Sequence, residues 1–590
     1  MVQGLIAVTY QDLWDDYESF SPVDCLKEVP TVSALNFVVE RQNQVLYAYS
    51  DLTTQQLLFY EMCCYFDEDA KKRAASFIAT HPNVSLLSSE TCLNFYLMAL
   101  QAYNENEDKL TNEDIAKIYK ALLYATSYWT NKQAAGISLL KNDPIGMMLR
   151  IDLPTIEFKV SKDFRVQLYK ACKFFDFCSK DKLYSSFLNS FCINRDVASW
   201  QDYILRLFNF YHASINNPWI KVEGKESAHQ AFFDNFSIIT EDCKALWDEH
   251  DITYLRNHPL YSPKNGLYLL LNANLFVDKF YQNLKFDFAS YILSINGCNE
   301  KGKPFKSYPD IAGDLGTRFS EKNLLYTLIE KIYDGIADSK FTGEYLKSKK
   351  VMAEPDFYLR CGNSLFIIEY KDLVMSDKVK YSDDVTFIKT EILDRLCLDD
   401  GKKRKGFGQI LYTLDGIFNK NTFGKIDSYV DNVTDVYPIV VTTDRAFSAM
   451  GVSQLMFEKF SELLKQYNFG QRMIYLPIVL DYDTLFALAY KIHNKELALA
   501  DLIQRFLNDK DRAAKSFYSK FNEEEIRKDN NIKEENKFLF SDISRLIYMY
   551  LLLLFPRFLD FHFTHADMMC IVQYYSWSII FFSGNKCNIL

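Results

Sequence analysis

The sequence is poor in the residues that break helices. Its 590 residues include only 20 Gly and 14 Pro, against 47 Phe and 39 Tyr. Gly and Pro supply the tight turns of β-rich proteins, whereas aromatic side chains fill the spaces between packed helices. The composition, 48% hydrophobic and 24% charged, is that of a globular protein and excludes a mainly disordered chain. Helices are therefore expected to dominate the fold.

Signals for secretion or membrane insertion are also missing. The opening residues, MVQGLIAVTYQDLWDD, have no basic segment followed by an apolar stretch, so a secretory signal is not predicted. A strongly apolar run at 546–555 is interrupted by Pro556 and Arg557, well short of the roughly 20 residues that span a bilayer. We expect a buried helix there, no integral membrane association, and a cytoplasmic protein.

Cysteine pairs and excess positive charge are absent as well. The 13 cysteines include the neighbours Cys63 and Cys64 but no CxxC pair, so reduced thiols are predicted rather than a disulfide framework. A net charge of -10 excludes a surface uniformly coated with phosphate-binding Lys and Arg. Any contact with nucleic acid is therefore expected to be local.

The length of the chain predicts two or three domains, because one hydrophobic core seldom organises 590 residues. Residues 1–300 have apolar residues at three and four spacing, as in NEDIAKIYKALLYATSYW, which predicts a mainly helical region. Gly and Pro cluster in GKPFKSYPDIAGDLGTRFS and mark a boundary near 300. Residues 301–490 are predicted to form an α/β domain, and 491–590 a charged helical segment with an apolar tail.

The elements after residue 300 alternate between helices and strands. Apolar residues at helical spacing are separated by short runs of β-branched and aromatic residues. The predicted elements are a helix at 319–333, a β-hairpin at 351–371, a helix at 407–418, a strand at 436–442, a helix at 452–467 and a strand at 474–480.

Three charged residues are expected to converge in the hairpin. The runs VMAEPDFYLR and LFIIEYKD are joined by the turn residues CGNS, and Asp356 is predicted to lie on the first strand. Side chains alternate between the two faces of a strand, so Glu369 and Lys371 share one face of the second. They end an apolar strand, where unpaired charges are costly to bury. The alternative is a surface hairpin with incidental charges.

Two acids and a lysine in this arrangement suit phosphodiester hydrolysis. That reaction needs a divalent cation to neutralise developing charge and activate water, and Mg²⁺ prefers carboxylate oxygens. Asp356 and Glu369 are the predicted metal ligands, with Mn²⁺ as an alternative ion. Lys371 is predicted to orient the attacking water or to stabilise charge in the transition state.

A third acid is predicted on the preceding helix, in RFSEKNLLYTLIEKIY. At 3.6 residues per turn, one apolar stripe is formed by Leu324, Leu325, Leu328 and Ile332. Glu321 lies in line with this stripe and is a candidate third metal ligand, or else an acid that complements the helix dipole. Glu330 falls on the opposite side and is expected to be solvated.

Basic residues and a further helix follow in GKKRKGFGQILYTLDGIF. A candidate nucleic-acid-binding run consists of Lys402, Lys403, Arg404 and Lys405. The alternative for this run is a solvated loop. Gln409 and Tyr412 lie one helical turn apart beside the apolar stripe. Gln409 is a candidate catalytic residue or a helix-start cap, and Tyr412 a candidate nucleic-acid contact or a packed aromatic.

These features resemble one known family. The residues that carry the resemblance are Pro355-Asp356, Glu369-Tyr370-Lys371, the upstream Glu321 and the downstream Gln409. Over roughly residues 310–480 the chain resembles the PD-(D/E)XK nuclease superfamily. The resemblance implies an α/β restriction-endonuclease-like core, a central mixed sheet flanked by helices, with acids that bind Mg²⁺ and a lysine that assists attack by water. The Gln409–Tyr412 spacing is one residue shorter than in the Gln-x3-Tyr motif of RecB-like members, which leaves the subfamily open.

The resemblance implies a Mg²⁺-dependent nuclease that hydrolyses phosphodiester bonds of DNA, in prokaryotic defence, restriction or repair. One alternative is a catalytically silent protein of the same fold that binds nucleic acid or acts as a scaffold. Another is a helical interaction protein in which residues 1–300 sense a trigger. A homodimer or a partner subunit would serve double-strand cutting. No GxxxxGK[ST] loop is present, so ATP-driven translocation would need such a subunit.

Overall fold

The computed structural model describes residues 6–47, 52–137, 139, 142–159, 162–214, 217–222, 227–245, 252–264, 266–351 and 353–509. The helix predicted at 546–555 and the apolar tail lie outside these residues. Within them, no helix is both long enough and apolar enough to cross a membrane.

The chain divides into two compact units, each built from separate stretches of sequence. The first comprises the chain up to Ser138, Glu157–Gln167 and Ser186–Tyr291; the second comprises Leu139–Ile156, Leu168–Ser185 and the chain from Ile292. The last change of unit, at Ile292, lies close to the domain boundary that the Gly and Pro cluster predicts near residue 300. The sequence did not indicate the two earlier segments, which contribute single helices to the second unit.

Helices dominate the first unit, and this confirms the helical N-terminal region that the sequence predicts. The helices that lie wholly or mostly in it are Tyr10–Leu13, Pro22–Leu26, Thr31–Gln42, Leu52–Cys63, Glu68–Thr80, Ser89–Gln101, Asn112–Ile137, Ile156–Lys159, Tyr184–Asn194, Trp200–Ser214, Ser227–Asp234, Thr253–Asn257, Ala273–Val277 and Gln282–Ser294, with a π-helical turn at Asn43–Tyr47 and 3₁₀ turns at Thr240–Ala245 and Asp278–Phe280. Buried apolar residues from Val8 to Phe158, together with others between Ile238 and Leu275, form one core cluster.

The first unit also contains strands that the sequence did not predict. Four of them form a small sheet, in the order Trp219–Lys221, Leu267–Leu270, Leu260–Lys264 and Ser237–Ile239. Two more, Ile6–Ala7 and Val84–Ser85, pair in parallel. None of these six is longer than five residues, which is too short for the alternation of a strand to stand out against the surrounding helices.

The second unit is organised around a six-stranded mixed sheet. Its strands are β1 (Ser339–Thr342), β2 (Phe357–Cys361), β3 (Ser364–Lys371), β4 (Asp435–Thr442), β5 (Met473–Ile474) and β6 (Ile478–Asp481). β1, β2 and β3 are successive antiparallel neighbours, whereas β4 runs parallel to β3 and pairs in parallel with both β5 and β6. The predicted hairpin is β2–β3, closed by a turn in which Gly362 has a φ of +58°.

Helices surround this sheet, so the second unit is mixed α/β as predicted. They are Pro144–Asp152, Phe164–Lys180, Tyr308–Leu315, Thr327–Ile332, Gly343–Ser348, Asp377–Lys380, Val385–Leu396, Phe407–Phe418, Val452–Leu464, Tyr482–His493 and Leu499–Leu507, with 3₁₀ turns at Val430–Asn432 and Arg445–Ser448. The predicted helix at 407–418 has the predicted bounds. A short hairpin of Cys397–Asp399 and Arg404–Gly406, the basic hairpin, precedes it.

The helix predicted at 319–333 differs from the expectation. Helical backbone begins at Tyr308 and ends at Ile332, and its middle, Gly316–Tyr326, is π-helical. The apolar stripe is buried and Glu330 is exposed, as predicted. The side of the helix on which Glu321 lies was predicted from 3.6 residues per turn. A π-helix has a wider turn, so this period does not apply to Glu321.

One buried carboxylate stabilises the sheet without belonging to the candidate site. Asp427 accepts hydrogen bonds from Arg360 Nε at 2.6 Å, Arg360 Nη2 at 3.1 Å and the Tyr358 hydroxyl at 2.9 Å. Both members of the ion pair are buried. Removing one partner of such a pair leaves an uncompensated charge, which typically costs about 3–5 kcal/mol.

We therefore expect Asp427→Ala to lower the free energy of unfolding by about 3–5 kcal/mol, measured by urea denaturation. Asp415→Ala is the matched control, because its partner Lys420 is half exposed and such pairs contribute about 0–1 kcal/mol. Equal losses for the two variants would contradict the prediction.

Candidate active site

The three charged residues of the hairpin meet at one end of β2 and β3. Asp356 lies one residue before β2, rather than on the strand as predicted. In the antiparallel register Phe357 pairs with Ile368, so Asp356 and Glu369 are neighbours across the two strands. Glu369 and Lys371 lie on the same face of β3 because they are two residues apart. The hairpin thus brings Asp356, Glu369 and Lys371 together.

Short contacts connect these groups. Lys371 Nζ donates a hydrogen bond of 3.0 Å to Oε2 of Glu369, and the Tyr370 backbone N–H donates one of 2.7 Å to Oδ2 of Asp356. Glu369 is fully buried, and its Oε1 has no hydrogen-bond donor among the described residues. The Asp356 carboxyl beside it is also an acceptor when ionised. Neither acid can therefore satisfy the other unless one of them holds a proton.

The environment shifts the pKa of each group. Burial, and next the charge of Asp356, raise the pKa of Glu369 well above its ordinary value, although Lys371 opposes this. Burial also raises the pKa of Asp356, again against the effect of Lys371. Burial alone would lower the pKa of Lys371, but the charges of Glu369 and Asp356 outweigh it and raise the pKa. These directions favour the protonated form of each group, and a positive charge placed beside the two acids would favour their ionised forms.

Glu321 approaches this cluster from the π-helical segment. Burial first, and then the charge of Asp356, raise the pKa of its carboxyl. The Tyr326 hydroxyl, five residues further on, donates a hydrogen bond to Glu321. In an α-helix residues five apart point roughly 140° away from each other, whereas π-helical pairing brings i and i+5 together. The π-helical backbone is therefore what allows Tyr326 to hold Glu321.

The sequence did not predict two residues that lie near the cluster. Tyr326 is one, and its relation to Glu321 has no counterpart in α-helical periodicity. Gly343 is the other: its N–H donates a hydrogen bond of 2.8 Å to the Asp356 carbonyl oxygen. A Cβ at Gly343 would lie 2.8 Å from the Pro355 carbonyl oxygen and 3.2 Å from the Tyr326 hydroxyl. A lone glycine at the start of a short helix gives no sequence signal for this close approach.

The predicted phosphate-binding run lies on the basic hairpin. Lys402 and Lys403 are exposed in its turn, and Arg404 and Lys405 are half-buried on its second strand. Arg404 Nε lies 3.2 Å from a carboxylate oxygen of Asp399, so part of the positive charge is compensated locally.

Tyr412 and Gln409 lie on the helix Phe407–Phe418, directly after the basic hairpin. The Tyr412 ring contacts two cations, with its centroid 4.2 Å from the Arg404 guanidinium carbon and 5.2 Å from Lys420 Nζ. Gln409 is half-buried, and its side chain forms no hydrogen bond with any residue that the structure describes. The structure thus joins Tyr412 to the basic hairpin, whereas the role of Gln409 at the carboxylates stays a prediction.

Asp356 and Glu369 are the residues of this cluster that could hold a Mg²⁺ ion. Across the described ranges, no three His, Cys, Asp or Glu side chains gather closely enough to form a complete metal site. The role of Glu321 as a third metal ligand stays a prediction. Mg²⁺ commonly uses only one or two carboxylates and fills its other positions with water and substrate phosphate. The Glu369 oxygen that lacks a donor, next to Asp356, meets this requirement.

The raised pKa of Glu369 makes stability without metal dependent on pH. Because its folded-state pKa lies above that of an unfolded glutamate, about 4.3, the stabilisation from its protonated form is complete below that value. It is lost as the pH rises through the folded-state pKa. Gln cannot ionise, so we expect metal-free Glu369→Gln protein to melt at a higher temperature than wild type at pH 8, with little difference at pH 4. Thermal unfolding in EDTA at both pH values measures this.

The control for that experiment is Glu330→Gln, which removes an exposed acid from the helix ending at Ile332. It should leave the melting temperature close to that of wild type at both pH values. A Glu369→Gln protein that melts below wild type at pH 8 would contradict the assigned pKa shift.

Comparison with known proteins gives no information about the function of this site. No protein-family model, no curated protein and no solved structure matches the chain.

Proposed function

We propose that the second unit is a Mg²⁺- or Mn²⁺-dependent nuclease that hydrolyses phosphodiester bonds of DNA on a restriction-endonuclease-like core. The observation that carries the proposal is that Asp356 and Glu369 lie side by side, and that one buried oxygen of Glu369 has no hydrogen-bond donor. Among the described residues nothing donates to Glu369 Oε1, and the Asp356 carboxyl beside it cannot do so when ionised. A divalent cation satisfies both carboxylates at once. A mixed sheet flanked by helices is the core that such nucleases use.

Each residue of the cluster has a separate role in the proposed hydrolysis. Asp356 and Glu369 would hold the cation, which would neutralise phosphate charge and lower the pKa of water. The Lys371 ammonium, fixed by Glu369 at 3.0 Å, orients the attacking water and donates to the oxygen on which negative charge develops. Glu321, to which the Tyr326 hydroxyl donates a hydrogen bond, would help the two acids to hold the cation.

A purely structural role explains the cluster less well. Burying an ionised carboxylate is costly unless it is paired, and only Glu369 has a hydrogen bond from Lys371. Burial raises the pKa of both acids, so ionising either one in the folded chain without a cation is unfavourable. Groups with such shifted pKa values concentrate at functional sites.

The basic hairpin supplies a local surface for the DNA backbone. Lys402 and Lys403 are exposed in its turn, and Arg404 and Lys420 flank the Tyr412 ring. Lysine and arginine side chains bind phosphates, and an aromatic ring beside them stacks on bases. This local patch reconciles DNA binding with a net charge of -10. Gln409, in the first turn of the adjacent helix, would steady the substrate or the site.

The test is cleavage by the purified full chain. Linear duplex, circular duplex and single-stranded DNA, and RNA of the same sequence, are incubated with Mg²⁺, with Mn²⁺ and with EDTA. Products that form only with a cation support the proposal, and survival of the circle indicates an exonuclease. Products in EDTA would exclude this metal mechanism. Binding of DNA without products in either cation would favour the catalytically silent, binding function.

A further inference from the structure

Asp372, next to Lys371, connects the candidate site to two other elements. One carboxylate oxygen, Oδ2, accepts a hydrogen bond of 2.5 Å from the Ser320 hydroxyl. The other, Oδ1, accepts one of 2.8 Å from the Thr443 hydroxyl. Its two oxygens therefore join the end of β3, the π-helical segment and the residue that follows β4.

Each of these contacts follows from the architecture of the second unit. β3 and β4 are parallel, and Lys371 is in register with Thr442, so Asp372 and Thr443 leave the sheet side by side. Ser320 is fully buried in the π-helical segment and directly precedes Glu321. Asp372 is separated from Ser320 by 52 residues, so this hydrogen bond fixes one part of the chain against a distant one.

The contact determines where Glu321 lies. A hydrogen bond to an ionised carboxylate is among the stronger ones in proteins, and here it holds the residue next to Glu321. On its other side, Glu321 is held by Tyr326. Two anchors, one on the residue before Glu321 and one on Glu321 itself, set its carboxyl near Asp356, whose charge acts on it.

We propose that Asp372 is a positioning residue, which holds Glu321 beside the Asp356–Glu369–Lys371 cluster by fixing Ser320 to the ends of β3 and β4. This inference rests on the proposed nuclease function for its consequence in catalysis. Asp372 does not touch the substrate or the cation; it acts through Ser320. Such supporting residues of metal sites typically change metal affinity or activity about 10–100-fold when they are removed.

The first test compares Asp372→Ala with Asp372→Asn and Asp435→Ala in the full chain. Asp435 is the matched control, because it also accepts hydrogen bonds from two hydroxyl groups, those of Thr434 at 2.6 Å and Tyr475 at 3.2 Å. It begins β4, whereas Thr443 follows the end of that strand. Initial cleavage rates are measured over a range of Mg²⁺ concentrations.

We expect Asp372→Ala to raise the Mg²⁺ concentration for half-maximal cleavage, or to lower the rate, by about 10-fold or more. Asp372→Asn keeps one acceptor oxygen and should recover part of the loss. Asp435→Ala should leave the Mg²⁺ concentration for half-maximal cleavage and the rate within about twofold of wild type. Contacts that lie away from a functional site seldom change these quantities. Equal effects of Asp372→Ala and Asp435→Ala would overturn the inference.

A second readout separates this inference from the proposed function. Melting temperatures are measured for Asp372→Ala, Glu321→Gln and the double variant, in EDTA. Residues that act on each other give non-additive shifts, whereas independent residues give additive ones. Non-additive shifts in a protein that cuts no DNA would support the positioning of Glu321 while the nuclease proposal fails. Additive shifts would overturn the role of Asp372 whether or not the protein cuts.

Discussion

Asp356→Asn is expected to lower metal-dependent cleavage by about 10³-fold or more. A bound divalent cation stabilises transition-state charge by several kcal/mol, and each 1.36 kcal/mol corresponds to about tenfold in rate. Asparagine keeps the shape of the side chain but supplies no negative charge to the cation. The variant should also lose the rise in melting temperature that Mg²⁺ causes in wild type, because a ligand stabilises only the form that binds it. Initial cleavage rates and thermal unfolding with and without Mg²⁺ measure both effects.

Asp334→Asn is the control for that variant, because it removes one carboxylate from an exposed position in the same unit. It should cut DNA at nearly the wild-type rate and keep the Mg²⁺-dependent rise in melting temperature. Full metal-dependent activity of Asp356→Asn would show that this acid does not hold the cation, and the assigned site would be wrong.

Lys371→Met is expected to separate catalysis from metal binding. Methionine preserves much of the length of lysine but neither orients water nor donates to developing charge. Removing one such donor typically costs about 10²–10³-fold in rate. The two acids remain, so the Mg²⁺-dependent rise in melting temperature should persist at pH 8. Single-turnover cleavage at saturating Mg²⁺, together with thermal unfolding, tests the two parts separately.

Lys340→Met provides the comparison for a lost lysine. Lys340 lies on β1, outside the cluster, and forms an ion pair with Asp334. Its replacement should leave the cleavage rate near that of wild type. If Lys371→Met lost the metal response as fully as Asp356→Asn, the lysine would hold the acids in place rather than assist the attack by water.

Local patterns in the sequence were sufficient for part of the site. Alternation along LFIIEYKD predicted that Glu369 and Lys371 share a face, and the 3.0 Å contact between them agrees. Helical spacing predicted Phe407–Phe418 with its observed bounds. In both cases a single element with regular geometry determines which residues are neighbours.

Other relations were not predictable, because they depend on irregular backbone or on distant segments. The π-helical segment changes which side chains meet, so Tyr326 was not associated with Glu321. Gln409 at the active site stays a prediction, since one helix start gives no information about its distance from a separate hairpin. Gly343 approaches Asp356 only because β1 and β2 pair.

The sequence by itself determined the residue types of the candidate site, the helical character of the N-terminal region and the hairpin that carries Glu369 and Lys371. These properties arise from periodicities of two and 3.6 residues, which are local. Only the tertiary structure decided that Glu321 is held by Tyr326, and that Asp372 joins Ser320 to Thr443. Such contacts are made between segments tens of residues apart or on a non-standard helix. They form because packing of the whole unit buries polar groups that must then find partners.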